Sequence, residues 1–177
     1  PPSFDLLVAD SVEAVLDCLQ EYREEAKIVA GGQSLMAMLN MRLVNPQVIV
    51  DISRLADLSY IRRDRGFVEI GATTTQAELH RWPELGQLVP LLELMMPHIG
   101  HFQTRNRGTV CGSLAHAEPS SELPLALATL GGEVVVRSRR NTSDVSTSPT
   151  KRVVLGVAKV AQTQSVKQKE QEAENRE

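Results

Sequence analysis

The stretch KIVAGGQSLMAMLNMRL, Lys27–Leu43, changes character twice within its length. Lys27 to Ala30 predicts a short buried strand. Gly31-Gly32 permits a tight turn with backbone angles that side chains disfavour. Ser34 then predicts a helix cap, and Leu35, Met38, Leu39 and Leu43 supply the apolar positions of a helix. A strand that turns on glycine into a helix presents backbone N–H groups to whatever sits at the turn.

The flanks extend this unit. Upstream, DSVEAVLDCLQEYREEA predicts a helix, with Val12, Val15, Leu16 and Leu19 at the 3.6-residue period. Asp10 followed by Glu13 predicts a capping box, and Cys18 reads as a half-buried structural thiol on the flank of the stripe. Downstream, PQVIVDISRL predicts a buried parallel strand. Residues 1–55 therefore read as a small α/β unit of helix, strand, helix and strand.

Residues 56–140 read as a larger α+β unit. GFVEIGATTTQAEL predicts a strand, a glycine turn and a helix capped by Thr75 with Glu78. LVPLLELMMPHIGHF is helical in part, with a break at Pro97. LPLALATLGG predicts a helix ended by Gly131-Gly132, and EVVVRSRR a strand. From Asn141 the pattern weakens, and 141–177 reads as a divergent, flexible tail that contributes little to the core.

A second turn, TVCGS at Thr109–Ser113, echoes the first. It follows the arginines Arg105 and Arg107, which could reach a phosphate or a partner, yet Gly108 to Val136 contains no Lys or Arg. Backbone donors and the hydroxyls of Ser34, Thr109 and Ser113 could clasp an anion without a cation. Two such turns suit a diphosphate. Each alone is a weak signal: neither is a Walker loop, and neither carries the G-x-G-x-x-G dinucleotide fingerprint.

Composition narrows the class. The chain has 177 residues, 42% of them hydrophobic and 3% aromatic, so its core must be aliphatic. A net charge of -3 argues against binding nucleic acid or a membrane surface through bulk charge. The longest apolar runs fall far short of the roughly 20 residues that span a bilayer. The start lacks a Met and a signal-peptide core, so the sequence reads as a processed chain or a fragment. Two cysteines make no disulfide framework, which points to the cytoplasm. The four histidines show no metal-binding spacing, and no side chain reads as a nucleophile or general base.

Taken together, IVAGGQSLMAMLNMRLVNPQVIVDISRL, IGATTTQAEL and RNRGTVCGSLAHAEPSSELPLALATLGGEVVVRS resemble the FAD-binding, or medium, subunits of the molybdenum hydroxylases. The likeness is greatest to the aerobic carbon monoxide dehydrogenase type, and xanthine dehydrogenase carries a related domain. It covers residues 1 to about 140. The resemblance implies an α+β, two-subdomain FAD-binding domain of the p-cresol methylhydroxylase type. It implies FAD as cofactor, and as partners a molybdopterin-containing large subunit and an iron–sulfur small subunit.

It also implies the site. Ala30, Gly31, Gly32, Gln33 and Ser34 would hold the pyrophosphate with Thr109, Val110, Cys111, Gly112 and Ser113. Ile28, Val29 and Leu35 would line the cofactor, Glu122 would stand near it, and Ile99 would form an apolar wall. The alternative reading is an inactive truncated remnant, or a non-catalytic module binding another nucleotide or phosphate. Two departures stand out. The family's second turn usually reads Gly-Gly where this chain has Cys111-Gly112, which implies backbone strain at Cys111. The tail after Arg140 lacks the family's further strands.

Overall fold

The computed structural model describes residues 2–139 and 156–161. In chain order its elements are β1 (Asp5–Val8), α1 (Val12–Tyr22), β2 (Ala26–Val29), α2 (Leu35–Asn40), β3 (Val48–Asp51), β4 (Ile61–Asp64), β5 (Phe67–Ile70), α3 (Gln76–Arg81), α4 (Leu85–Leu88), α5 (Pro90–Met95), α6 (Phe102–Arg107), α7 (Val110–His116), α8 (Glu122–Thr129), β6 (Glu133–Val136) and β7 (Gly156–Ala161).

The strands form two sheets that fall on either side of residue 55. The first is parallel, in the order β1-β3-β2. Its middle strand is the predicted parallel strand, with Val48, Ile49 and Val50 all buried. Its β1 escapes sequence reading because Leu6, Leu7 and Val8 remain exposed and show no alternation. Helix α1 starts one residue later than the capping-box reading: Ser11, not Asp10, accepts from the Ala14 N–H at 3.2 Å. Cys18 is buried rather than half-buried. Helix α2 ends at Asn40, because Arg42 takes φ 58° and stops it short of Leu43.

The second sheet is antiparallel, in the order β4-β5-β7-β6. Here the sequence reading needs correction. Residues 156–161 lie between β5 and β6, with Ala158 and Val160 buried. Ala158 and Val160 join the core, against the expectation that residues after Arg140 contribute little to it. GVAKVA is too small and too weakly alternating to announce a central strand. The remainder of 141–177 lies outside the described residues.

Alternation across β5 and β7 sorts the two faces of this sheet. Val68 pairs with Val160 and Ile70 with Ala158 on the core side. Glu69 lies opposite both Arg62 and Lys159 on the other. Its carboxylate is buried yet fully paired, with Arg62 Nη2 at 2.6 Å and Lys159 Nζ at 2.6 Å. The hydrogen bond from Lys159, with Arg62 adding to it, holds the carboxyl below its ordinary range against the opposing effect of burial.

A depressed carboxyl stabilises the fold above its unfolded pKa, and that contribution is lost as pH falls through the folded value. Glu69→Gln should therefore lower the neutral-pH melting temperature, on the order of 5 °C. The gap between parent and variant should close as the pH is taken below the carboxylate range. Thermal melts across an acid series check this.

The buried residues of both sheets and their helices join in one cluster, from Val15 and Val50 to Val68, Leu88 and Ala126. The first glycine turn emerges at the end of β2, and the second opens α7.

Candidate functional site: two glycine turns in contact

The turn at Gly31-Gly32 and the segment leading into Thr109 touch. A Cβ built on Gly31 would lie 2.1 Å from the Arg107 carbonyl oxygen and 2.8 Å from the Gly108 Cα. Only glycine allows that approach of two backbones. Gly32 takes φ +69°, the left-handed region, which carries the chain from β2 into α2. Gln33 leans to the same junction: the position of a Cβ on Gly108 is 3.5 Å from Gln33 Cγ.

The first turn is rich in free donors. The backbone N–H groups of Gly31, Gly32, Gln33 and Ser34 have no hydrogen-bond acceptor among the described residues. Gln33 Nε2 donates to the Gly31 carbonyl at 3.1 Å. Ser34 does not cap α2 as its position predicts: it sits at φ −100°, ψ −50° and makes no capping bond. The turn is thus a partly exposed run of N–H groups, of the kind that can accept an anion without cations.

The second turn is built differently. It is the first turn of helix α7, not an extended loop. Thr109 caps it by accepting from the Gly112 N–H at 3.0 Å. Thr109 is buried, and its hydroxyl is engaged in this cap. A Cβ on Gly112 would lie 2.6 Å from Thr109 Oγ1, which explains glycine there. The Val110 N–H donates to the Thr74 carbonyl at 3.0 Å and that of Ser113 to the Thr109 carbonyl at 3.2 Å. The Ser113 hydroxyl meets that of Ser121 at 3.2 Å. The two turns are therefore unequal: the N–H groups of the first lack acceptors among the described residues, whereas those of Val110, Gly112 and Ser113 are bonded.

Thr73 and Thr74 are buried residues of the segment bracing the second turn, and the sequence did not signal their role. The Thr74 hydroxyl donates to the Tyr60 carbonyl at 2.9 Å, and that of Thr73 to the Leu55 carbonyl at 3.3 Å. The segment then reaches the second turn through the Gln76 N–H, which donates to the Gly108 carbonyl at 2.8 Å. The one legible signal, the capping box of Thr75 and Glu78, forms as predicted.

The remaining candidates separate. Ile28, Val29 and Leu35 flank the first turn, each half-buried. Val110 is buried. Ser113 links the second turn to Ser121, the N-cap of α8, so Glu122 at the first position of that helix stands nearby. Ile99 is 6% exposed and belongs to the core, which leaves little of it to face a ligand. Arg105 does not reach for phosphate. Its Nη1 donates to the carbonyls of Ile99 at 2.8 Å and Gly100 at 3.1 Å. Arg107 is exposed, and its carbonyl is the group that meets Gly31.

Cys111 overturns the strain expectation. It is a helical residue and is absent from the positive-φ positions. Its thiol is buried against the carbonyls of Ile70 and Gly71, and burial pushes its pKa up to about 11. Such a thiol is a packing group, not a nucleophile. Cys111→Gly should thus lower stability, by about 2 kcal/mol from lost burial and helix propensity. Denaturant unfolding of parent and variant checks the sign, which is opposite to that expected from strain.

A family profile described as the FAD binding domain in molybdopterin dehydrogenase matches residues 2–170. The chain belongs to this FAD-binding family. Among curated relatives, the 6-hydroxypseudooxynicotine dehydrogenase complex subunit alpha of Paenarthrobacter nicotinovorans is 46% identical over 138 residues, covering 78% of this chain and 47% of the relative. The carbon monoxide dehydrogenase medium chain of Hydrogenophaga pseudoflava is 36% identical over 124 residues, covering 70% and 43%. Quinoline 2-oxidoreductase from Pseudomonas putida 86 superposes with a TM-score of 0.82 at 31% identity, covering 92% of this chain and 60% of that one. This FAD-binding chain spans about half the length of the curated relatives it matches.

FAD fits the residues present. The first turn carries backbone N–H groups of the kind that accept a diphosphate. Among the described residues no cluster of His, Cys, Asp and Glu could hold a metal. No helix there is long and apolar enough to cross a membrane.

Proposed function

We propose that this chain is the FAD-binding part of a medium subunit in a molybdenum hydroxylase or dehydrogenase complex, an oxidoreductase. Within that complex it would carry electrons from iron–sulfur clusters through FAD to an acceptor. The observation that carries the reading is the contact of the first glycine turn with Arg107 and Gly108, just before the second, with the N–H groups of Gly31 to Ser34 unpaired among the described residues.

In this reading Ala30 to Ser34 hold the diphosphate, flanked by Ile28, Val29 and Leu35. Thr109 to Ser113 complete the pyrophosphate site beside the first turn, the backbone of Arg107 and Gly108 packs against Gly31, and Glu122 stands close to the second turn. When bound, FAD supplies the redox chemistry, and the chain supplies position and electrostatics. The backbone donors are fixed before the ligand arrives, so little reorganisation accompanies binding. The sheets on either side of residue 55 fit the two-subdomain arrangement of the p-cresol methylhydroxylase type. The implied partners are a molybdopterin-containing large subunit and an iron–sulfur small subunit, working in the cytoplasm.

Purification of the chain with its visible spectrum tests the reading. A flavin band, with FAD released on denaturation, is the expected result. A colourless protein that takes up no added FAD would overturn it.

A further inference from the structure

Gln76 opens α3 just behind the junction of the two turns. It is 6% exposed. Its backbone N–H holds the Gly108 carbonyl at 2.8 Å. Its side chain reaches the same place: the position of a Cβ on Gly108 is 3.4 Å from Gln76 Nε2 and 3.5 Å from Gln33 Cγ. The Gln76 carboxamide and the Gln33 stem thus both lie beside Gly108. The Gln76 Oε1 is buried and has no hydrogen-bond donor.

A buried carbonyl without a donor carries a desolvation penalty that an apolar side chain of equal length would avoid. Native folds keep few such groups, and local rules tend to be broken at functional sites. The site here has a reason. The spacing between Gly31 and Gly108 is set by backbone contact alone on one side, so something must fill the space behind Gly108 on the other.

We propose that Gln76 is a positioning residue for the diphosphate cradle: its carboxamide packs beside Gly108 and holds that backbone against Gly31, and the fold is less stable for it. The inference rests on the FAD reading. It distinguishes Gln76 from an ordinary core residue, for which stability and binding would fall together.

The test is Gln76→Met, which keeps the unbranched length and removes the amide. Melting temperature without FAD and affinities for FAD and riboflavin are measured on the full chain. The expected result is an unchanged or raised melting temperature with FAD affinity lowered roughly tenfold, because a cradle held loosely binds less well. Riboflavin, which lacks the diphosphate, should bind parent and variant alike. If Gln76→Met does not fold, Gln76→Leu takes the same measurements. FAD affinity equal to that of a parent that does bind FAD overturns the proposal and leaves the FAD reading intact. A joint fall of stability and affinity, or an equal loss for riboflavin, also overturns it. A parent that binds no FAD overturns both.

Discussion

Gly31→Ala is expected to lower FAD affinity about a hundredfold, about 3 kcal/mol, and to cost several degrees of melting temperature. The reason is geometric. The added Cβ would sit 2.1 Å from the Arg107 carbonyl oxygen. That oxygen belongs to the backbone at the end of α6, so no side-chain rotation relieves the clash, and overpacking of this kind typically costs about 1–3 kcal/mol. The turns must separate, and the donors of Gly31 to Ser34 then lose the brace that aims them. Titration of the variant with FAD, beside a thermal melt, checks both effects. A variant that binds FAD as the parent does would mean the contact does not shape the site.

Gly32→Asp should act differently. At φ +69° a side chain adds strain of roughly 1–2 kcal/mol, and its Cβ meets Met36 Cγ at 3.2 Å. The fold should survive. The carboxylate, however, would stand among the N–H groups meant for an anion and repel a second negative charge. FAD affinity should fall roughly a thousandfold. Gly32→Ala separates the causes, since it carries the strain without the charge. The excess loss in the Asp variant should shrink as salt is raised. Gly32→Asp with parental affinity would contradict the placement of the diphosphate at this turn.

Elements marked by local chemistry were legible in the sequence. The Thr75–Glu78 capping box, the parallel strand at Val48–Asp51 and the glycine stop after α8 each depend on neighbouring residues, and each forms. So does the strand-turn-helix at Lys27–Leu43, although its helix is shorter than predicted. What was hidden depends on distant partners. β1 is held by pairing with β3, and β7 by pairing with β5 and β6. Neither four exposed residues nor GVAKVA can reveal that alone.

The candidate site divides in the same way. Two glycine turns of similar composition suggested one ligand, and the first packs against Arg107 and Gly108, directly before the second. Their likeness concealed a division of labour, because the role of Thr109 depends on Gly112 while that of Ser34 depends on a cap that never forms. Cys111 misled for a related reason. A residue standing where glycine is usual implies positive φ only if the backbone there is left-handed, and here it is helical. The brace of Thr73, Thr74 and Gln76 lies more than thirty residues from the second turn and carries no motif of its own.

The central claim is that the paired turns hold a diphosphate. It is tested most directly by titrating the purified, flavin-free chain with FAD and with riboflavin under one set of conditions. The two share the flavin ring and differ in the diphosphate and adenosine. FAD should bind at least a hundredfold more tightly, and its advantage should collapse in Gly32→Asp. Equal affinity for the two ligands, or an advantage that Gly32→Asp leaves intact, would contradict the account.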